Sequence, residues 1–274
     1  MGYDFFMKII SVLLCLLFVP VVSTFAGTAI QARVQSYSYQ EAWADVDVSF
    51  DQNKMRLDFK GPWSHGSLIY DRETSWLILV DDLHKTTFTV TPRDQATLKL
   101  LGGLAIGIAE SHADKENGDG KRTFETLRKN VRSFFNGDPR LEAKGVRTAG
   151  MVCDKYSTVL EGEKAREVWA ARLETTAMNL EDYNTFRSFI HLALDLTSGE
   201  LTQLGADPED FQRLLSEPLV PVVSVLYAKG KPASRYEMQS LRPRSFSVGF
   251  FDPPARYQSV GLLDLLKPPS SSKP

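Results

Sequence analysis

Cysteine is almost missing from this sequence: two occur in 274 residues, Cys15 and Cys153. Cys15 sits in an apolar leader, so a processed chain keeps Cys153 alone and has no internal disulfide. That excludes the small stapled scaffold common among exported proteins, and the fold must be held by its core. Histidine is scarce too. His65, His84, His112 and His191 include no pair at metal-ligand spacing and no His-Glu-x-x-His, so no metal or other cofactor is expected. There is no Gly-x-Ser-x-Gly elbow and no phosphate-binding glycine loop. A net charge of -2 gives no excess of positive charge to attract nucleic acid. The chain reads as non-enzymatic.

What is present begins with the leader. Lys8 precedes an apolar run from Ile9 to Val22, and Thr24-Phe25-Ala26 has the small-x-small form of a signal peptidase site. Residues 1–26 are read as a signal peptide cleaved near Ala26, which makes the protein periplasmic. Met7-Lys8 would open a more ordinary signal than Met1 does, since Met1 to Phe6 carry Asp4 and no base. Leu13 and Leu14 before Cys15 are not the small residues that a lipoprotein signal needs.

The stretch from Asp45 to Pro92 organises the rest. In Lys54 to Lys60 the apolar Met55, Leu57 and Phe59 alternate with Lys54, Arg56, Asp58 and Lys60, which is the period of a strand with two unlike faces. Ala32 to Tyr39, Trp43 to Phe50, Ser67 to Tyr70, Trp76 to Val80 and Lys85 to Val90 read as further strands with short links, an antiparallel meander. Trp76 to Val80 is apolar on both sides, so its second face needs cover, and the apolar helix that follows reads either as a core helix or as one lying across the open face of the sheet. Taken as one inward row, Met55, Leu57, Phe59, Trp76, Ile78 and Val80 are the candidate lining of an apolar ligand site.

A helical insertion at about 93–140 comes next. Arg93 to Glu110 reads as a helix weakened by Gly102, Gly103 and Gly107, at about 1 kcal/mol each relative to alanine. Ser111 to Gly120 fails the calcium-loop pattern in both registers tried and reads as a surface loop. Thr123 to Asn136 is an amphipathic helix whose basic side, Arg128, Lys129 and Arg132, reads as a solvated face, with contact to anionic headgroups at a membrane surface as the alternative. Strands at Ala143 to Thr148, Met151 to Leu160 and Ala165 to Leu173 follow. Asn179 caps a helix to Thr197, with a stripe of Leu180, Tyr183, Phe186, Ile190 and Leu194 and Gly199 as its stop. A short helix opens at Asp207-Pro208, and a hairpin of Leu219 to Ala228 with Ser234 to Leu241 closes the sheet. Phe246 to Phe251 is read as a last strand, and residues 266–274 as a tail with nothing to bury. Residues 27–265 are thus expected to form a single domain.

Polar candidates for chemistry are few. His84 beside Asp81 and Asp82 is the best acid-base arrangement, at a turn that equally explains all three as solvated. His191 lies four before Asp195 on a helix and reads as a surface pair. Cys153 between Val152 and Asp154 reads as a small buried apolar residue.

Several ordered motifs carry a resemblance. Lys54-Met55-Arg56, Lys85-Thr86-Thr87-Phe88, Gly150-Met151-Val152-Cys153-Asp154-Lys155-Tyr156, Val168-Trp169 and Phe251-Asp252-Pro253-Pro254-Ala255-Arg256-Tyr257 resemble an exported bacterial family of unknown function. That family is related to the lipoprotein carrier LolA and its receptor LolB. The resemblance implies an α+β fold, an incomplete antiparallel barrel wrapped around helices, with an apolar concave face that holds acyl chains in the carriers. It implies a periplasmic protein that binds or carries a lipid, acyl chain or lipoprotein. The alternative is a structural or protein-interaction component of the envelope with a filled core.

Overall fold

The structure, a computed structural model, describes residues 27–37, 43–61, 65–100, 125, 128–129, 131–132, 134–207, 217–228 and 230–261. The leader, the polar loop at 111–120, the helix beyond residue 100, the helix expected at Asp207-Pro208 and the tail lie outside these residues.

Among the described residues twelve strands form one open sheet, in the order β12-β6-β5-β4-β3-β2-β1-β11-β10-β9-β8-β7. The meander is β1 (Gly27–Ser36), β2 (Trp43–Asp51), β3 (Lys54–Lys60), β4 (His65–Asp71), β5 (Trp76–Asp81) and β6 (Thr86–Val90). After the helical segments come β7 (Arg140–Thr148), β8 (Met151–Leu160) and β9 (Glu163–Arg172), then β10 (Leu219–Ala228), β11 (Lys231–Arg244) and β12 (Gln258–Val260). Every pairing is antiparallel except β12 on β6, which is parallel. The sheet curves without closing, because β12 and β7 end the order unpaired to each other. This is the incomplete antiparallel barrel that the resemblance implies, and the meander read from the alternation is half of it.

Helical residues occur at 92–100 (α1) and within 125–135 (α2), and α3 is Leu180–Gln203. Asn179 Oδ1 accepts the Asp182 N–H at 2.8 Å, satisfying one free donor of the first turn of α3. The helix does not stop at Gly199. It runs to Gln203 and ends where Gly205 takes φ +78. A mid-helix glycine costs only about 1 kcal/mol, and the buried Leu201 and Leu204 beyond it more than offset that. Leu180 is not part of the buried stripe and is exposed.

The ladders assign the faces. Ile30, Val48, Leu57, Leu68, Leu79 and Phe88 stand side by side across β1 to β6. The neighbouring row is Thr28, Phe50, Met55, Tyr70, Leu77 and Val90. Both rows belong to the main core, and α3 packs on them through Phe186 against Phe50 and Phe189 against Tyr70, at ring centroid distances of 6.5 and 5.7 Å. We call this the inner face. Leu98 of α1 and Val131, Phe134 and Phe135 of α2 join the same core.

Two polar anchors hold the helices there. Asp182 is fully buried and accepts from Thr28 Oγ1 and from the Gln52 N–H, each at 3.0 Å, which ties the start of α3 to β1 and to the β2–β3 turn. Arg166 of β9, also buried, donates to the Phe134 carbonyl and, at 3.2 Å, to Thr158 Oγ1. A guanidinium at the last turn of α2 satisfies carbonyls that have no helical partner.

Candidate functional site

The six candidate lining residues do not share a face. Met55, Leu57 and Phe59 lie inside, where Met55 and Leu57 are each 1% exposed beneath α3. Trp76, Ile78 and Val80 lie outside. The register decides it: Leu68 stands opposite Leu79, so the inner row of β5 is Leu77 and Leu79, and the other three residues point away. Among the described residues the inner face is taken up by side chains of the protein itself, and α3 supplies Tyr183, Phe186, Phe189, Ile190 and Leu194.

Among the described residues the cover for the outer face is not α1. Leu98 of α1 packs against the inner core, and Lys99 of α1 pairs with Asp195 of α3 at 2.6 Å. The outer row Ile69, Ile78 and Val80 is covered by the segment between β11 and β12, through Phe246, Phe250, Phe251 and Tyr257. That segment is not a strand. Phe250 N–H bonds to the Ser247 carbonyl and Asp252 N–H to the Gly249 carbonyl, both at 3.0 Å, and Gly249 takes φ +82. These turns bring three phenyl rings together, with centroids 4.6, 5.2 and 5.1 Å apart, and set Phe251 into the sheet. Burying one such ring stabilises by about 2 kcal/mol.

Arg56 explains why this strap sits where it does. It is on the outer side of β3, chelated by Asp58 (Nη2 to Oδ1, 2.8 Å) and bonded to Ser67 Oγ at 3.0 Å. Its remaining nitrogen donates to the Phe250 carbonyl at 3.1 Å, and its guanidinium lies 5.4 Å from the Phe250 ring centre. At the far end Tyr257 accepts from Lys85 at 3.0 Å and donates to Asp82 at 2.6 Å. Near the start, a Cβ on Gly27 would stand 2.7 Å from the Phe246 ring, so β1 and the strap touch closely there. Sequence reading missed the strap. The available signal was an outward apolar row on β4 and β5 with no other partner, together with three phenylalanines among turn residues.

The chemical candidates separate. His84 Nδ1 lies 2.7 Å from Asp81 Oδ2 in an exposed turn where Asp81 also accepts the Leu83 and His84 N–H groups. Asp82 faces Tyr257 instead. Burial raises the pKa of Asp81, but the bonds from His84 and Leu83 overcome it, so the carboxyl titrates below its usual range. Cys153 is 1% exposed, and burial with the charge of Asp154 beside it pushes the thiol up to about 11, which makes it a poor nucleophile. His191 does not face Asp195 as a pair, since Asp195 is taken by Lys99. Burial, then the Arg187 charge, lower its pKa.

A polar network around Glu167 was not foreseen. Glu167 of β9, 5% exposed, receives Lys155 at 2.7 Å, Lys164 at 2.8 Å and the Tyr227 hydroxyl. Lys155 also reaches Glu142 at 2.8 Å and lies over the Trp169 ring at 5.1 Å. Burial alone would raise the Glu167 pKa, but the three donors hold it down to about 2. Burial and that carboxylate push Tyr227 up to about 12. Two bases and two acids close the network on itself, which is a structural clamp across β7 to β10.

The expected basic side of α2 is also neutralised. Arg128 meets Glu125 at 3.4 Å, Lys129 meets Glu163 at 2.9 Å and Arg132 meets Glu161 at 2.6 Å. These three bind α2 to itself and to the β8–β9 turn and leave little field for a membrane. Among the described residues no cluster of three or more histidine, cysteine or acidic side chains could hold a metal.

No family model matches the sequence, and no curated protein matches it. Solved structures do. An uncharacterised conserved protein from Thermus thermophilus is similar at 10% identity and a TM-score of 0.45, over 86% of this chain and 90% of that one. The MucA/MucB complex of Pseudomonas aeruginosa is similar at 10% identity and a TM-score of 0.37, over 94% of this chain and 63% of that one. MucB by itself is similar at 9% identity and 0.37, over 90% and 64%. The chain spans under two thirds of these MucB chains. None of these likenesses reaches the LolA and LolB relationship that the motifs resemble, and at these scores they carry no function across.

Proposed function

We propose that this chain is a non-catalytic protein of the cell envelope that acts by binding a protein partner on its surface, with its concave face occupied by its own helices. One observation carries this reading: the inner rows around Met55 and Leu57 are sealed by Phe186, Phe189 and Ile190 of α3. An acyl chain could enter only if α3 left, which would break the Asp182 bonds to Thr28 and Gln52. The positions of His84 and Cys153 support a non-catalytic role, because each is explained by turn or core structure. Export through the leader at residues 1–26 places the protein in the periplasm on this reading.

The test is lipid analysis of the protein purified from its own envelope. Native mass spectrometry is expected to give the mass of the processed chain alone, and chemical crosslinking in intact cells to give one discrete protein adduct. Stoichiometric acyl lipid that survives purification would instead establish the carrier function implied by the LolA resemblance.

A further inference from the structure

The expected cut and the first strand share a boundary. Thr24-Phe25-Ala26 puts the scissile bond between Ala26 and Gly27. The strand β1 begins at Gly27, with no residue to spare between the two. Gly27 is buried, and so are Thr28, Ala29 and Ile30. Both edges of β1 are taken from its first residues, since Gly27 stands opposite Arg244 of β11 and Thr28 opposite Phe50 of β2. A Cβ on Gly27 would lie 2.1 Å from the Phe50 carbonyl oxygen and 2.7 Å from the Phe246 ring of the strap. Thr28 is held as well by its bond to the buried Asp182 at 3.0 Å. In the sheet order β1 has six strands on one side and five on the other, so freeing it splits the sheet in the middle.

A protease takes its substrate as an extended segment whose backbone is free on both sides of the bond, which is why cuts fall in exposed loops and loose ends. Here the backbone after the bond is already hydrogen-bonded and buried. We infer that signal peptidase cuts this chain only before β1 is built into the sheet, so that a precursor which folds first keeps its leader and stays anchored to the membrane. This rests on the reading of residues 1–26 as a cleaved leader. In the step itself water adds to the Ala26 carbonyl carbon and the C–N bond to Gly27 breaks. Ala26 is left as the carboxylate, and the Gly27 nitrogen takes the proton and leaves as the ammonium.

The order of the chain supplies the time for this. Arg33 of β1 and Glu237 of β11, which meet at 3.2 Å, are 204 positions apart. Synthesis at about 5–20 residues per second separates their appearance by roughly 10–40 s. Until β11 arrives, one edge of β1 is open to the enzyme. The strap that brings Phe246 against Gly27 comes later still.

The test uses the full precursor, residues 1–274, made with signal peptidase inhibited and kept in a nonionic detergent. One portion is refolded until it resists trypsin as the processed protein does. The other is diluted from urea straight into purified signal peptidase. The unfolded portion should be cut after Ala26, as the product mass shows. The folded portion should be cut at least about a hundredfold more slowly, because cutting must wait for β1 to open. A second precursor, with a flexible Gly/Ser spacer of about eight residues between Ala26 and Gly27, should be cut equally fast in both states. No cut in the unfolded precursor would remove the leader reading and the inference with it. Equal rates for the folded and unfolded wild type would overturn the inference and leave the leader reading standing. A folded spacer variant that resists the enzyme would also overturn it, since β1 would then not be what shields the bond.

Discussion

Asp182→Asn should remove a pH dependence from the stability of the fold, and the sign follows from the site. The carboxyl is fully buried at the start of α3, and burial pushes its pKa up to about 6, against the lowering effect of its bonds from Thr28 and Gln52. Unfolded, it titrates near 3.8. Between those values the folded chain holds a proton that the unfolded chain has lost, so stability falls as pH rises through the window and is flat above it. A difference of about two units corresponds to about 3 kcal/mol at most. Asparagine keeps the shape: its oxygen can take the Gln52 N–H, and its amide can donate to Thr28 Oγ1. Urea unfolding of wild type and variant at a series of pH values isolates the group, because every other titration is common to both. The difference in stability should change by up to about 3 kcal/mol across the window, with the variant gaining on the wild type toward neutral pH. Parallel curves would refute the reasoning, and would mean that the folded carboxyl titrates like an exposed one.

Three further substitutions probe other parts of the structure. Glu167→Gln should weaken the protein at neutral pH and flatten its acid unfolding: a group held down to about 2 gives stability that is present above its unfolded value near 4.5 and lost as pH falls, by up to about 3 kcal/mol. Acid unfolding followed by circular dichroism measures this. Arg166→Met should cost about 2 kcal/mol in thermal unfolding, because the Phe134 carbonyl and Thr158 hydroxyl each lose a charged donor; a stabilised variant would show that burying the guanidinium outweighs its bonds. Gly27→Ala would place a Cβ 2.1 Å from the Phe50 carbonyl oxygen and 2.7 Å from the Phe246 ring, so it should cost about 1–3 kcal/mol and speed proteolysis within the strap.

Much of the fold is legible in local pattern. Lys54 to Lys60 alternates so strictly that the strand bounds follow from it, and β3 has those bounds. Asn179 is a cap because a short side-chain oxygen before an apolar stripe has one good use there, and it accepts the Asp182 N–H. The errors lie where a local signal competes with a distant partner. Gly199 looks like a stop until Leu201 and Leu204 are seen to be buried. Phe246 to Phe251 has the composition of a strand, but its rings are needed on the sheet below, and Gly249 with φ +82 turns the chain to bring them there.

The division of the candidate site follows from a limit of period two. Alternation within a strand separates its two rows, but it does not say which row continues onto the next strand. That depends on hairpin register, and a shift of one residue exchanges the faces. Trp76, Ile78 and Val80 looked like the continuation of Met55, Leu57 and Phe59 because both rows are apolar. In the sheet Asp71 stands opposite Trp76 and Tyr70 opposite Leu77, so the row continues through Leu77 and Leu79. The doubly apolar β5 did carry true information, since both its faces are covered. The helix beside it in sequence shields the inner face, whereas the outer cover comes from the strap beyond β11, where Phe250 lies 194 positions after the Arg56 that it meets. A demand for cover can be read from one strand alone, but the identity of the cover is a long-range fact carried by Arg56, an arginine on the outward row whose guanidinium still had one nitrogen to satisfy.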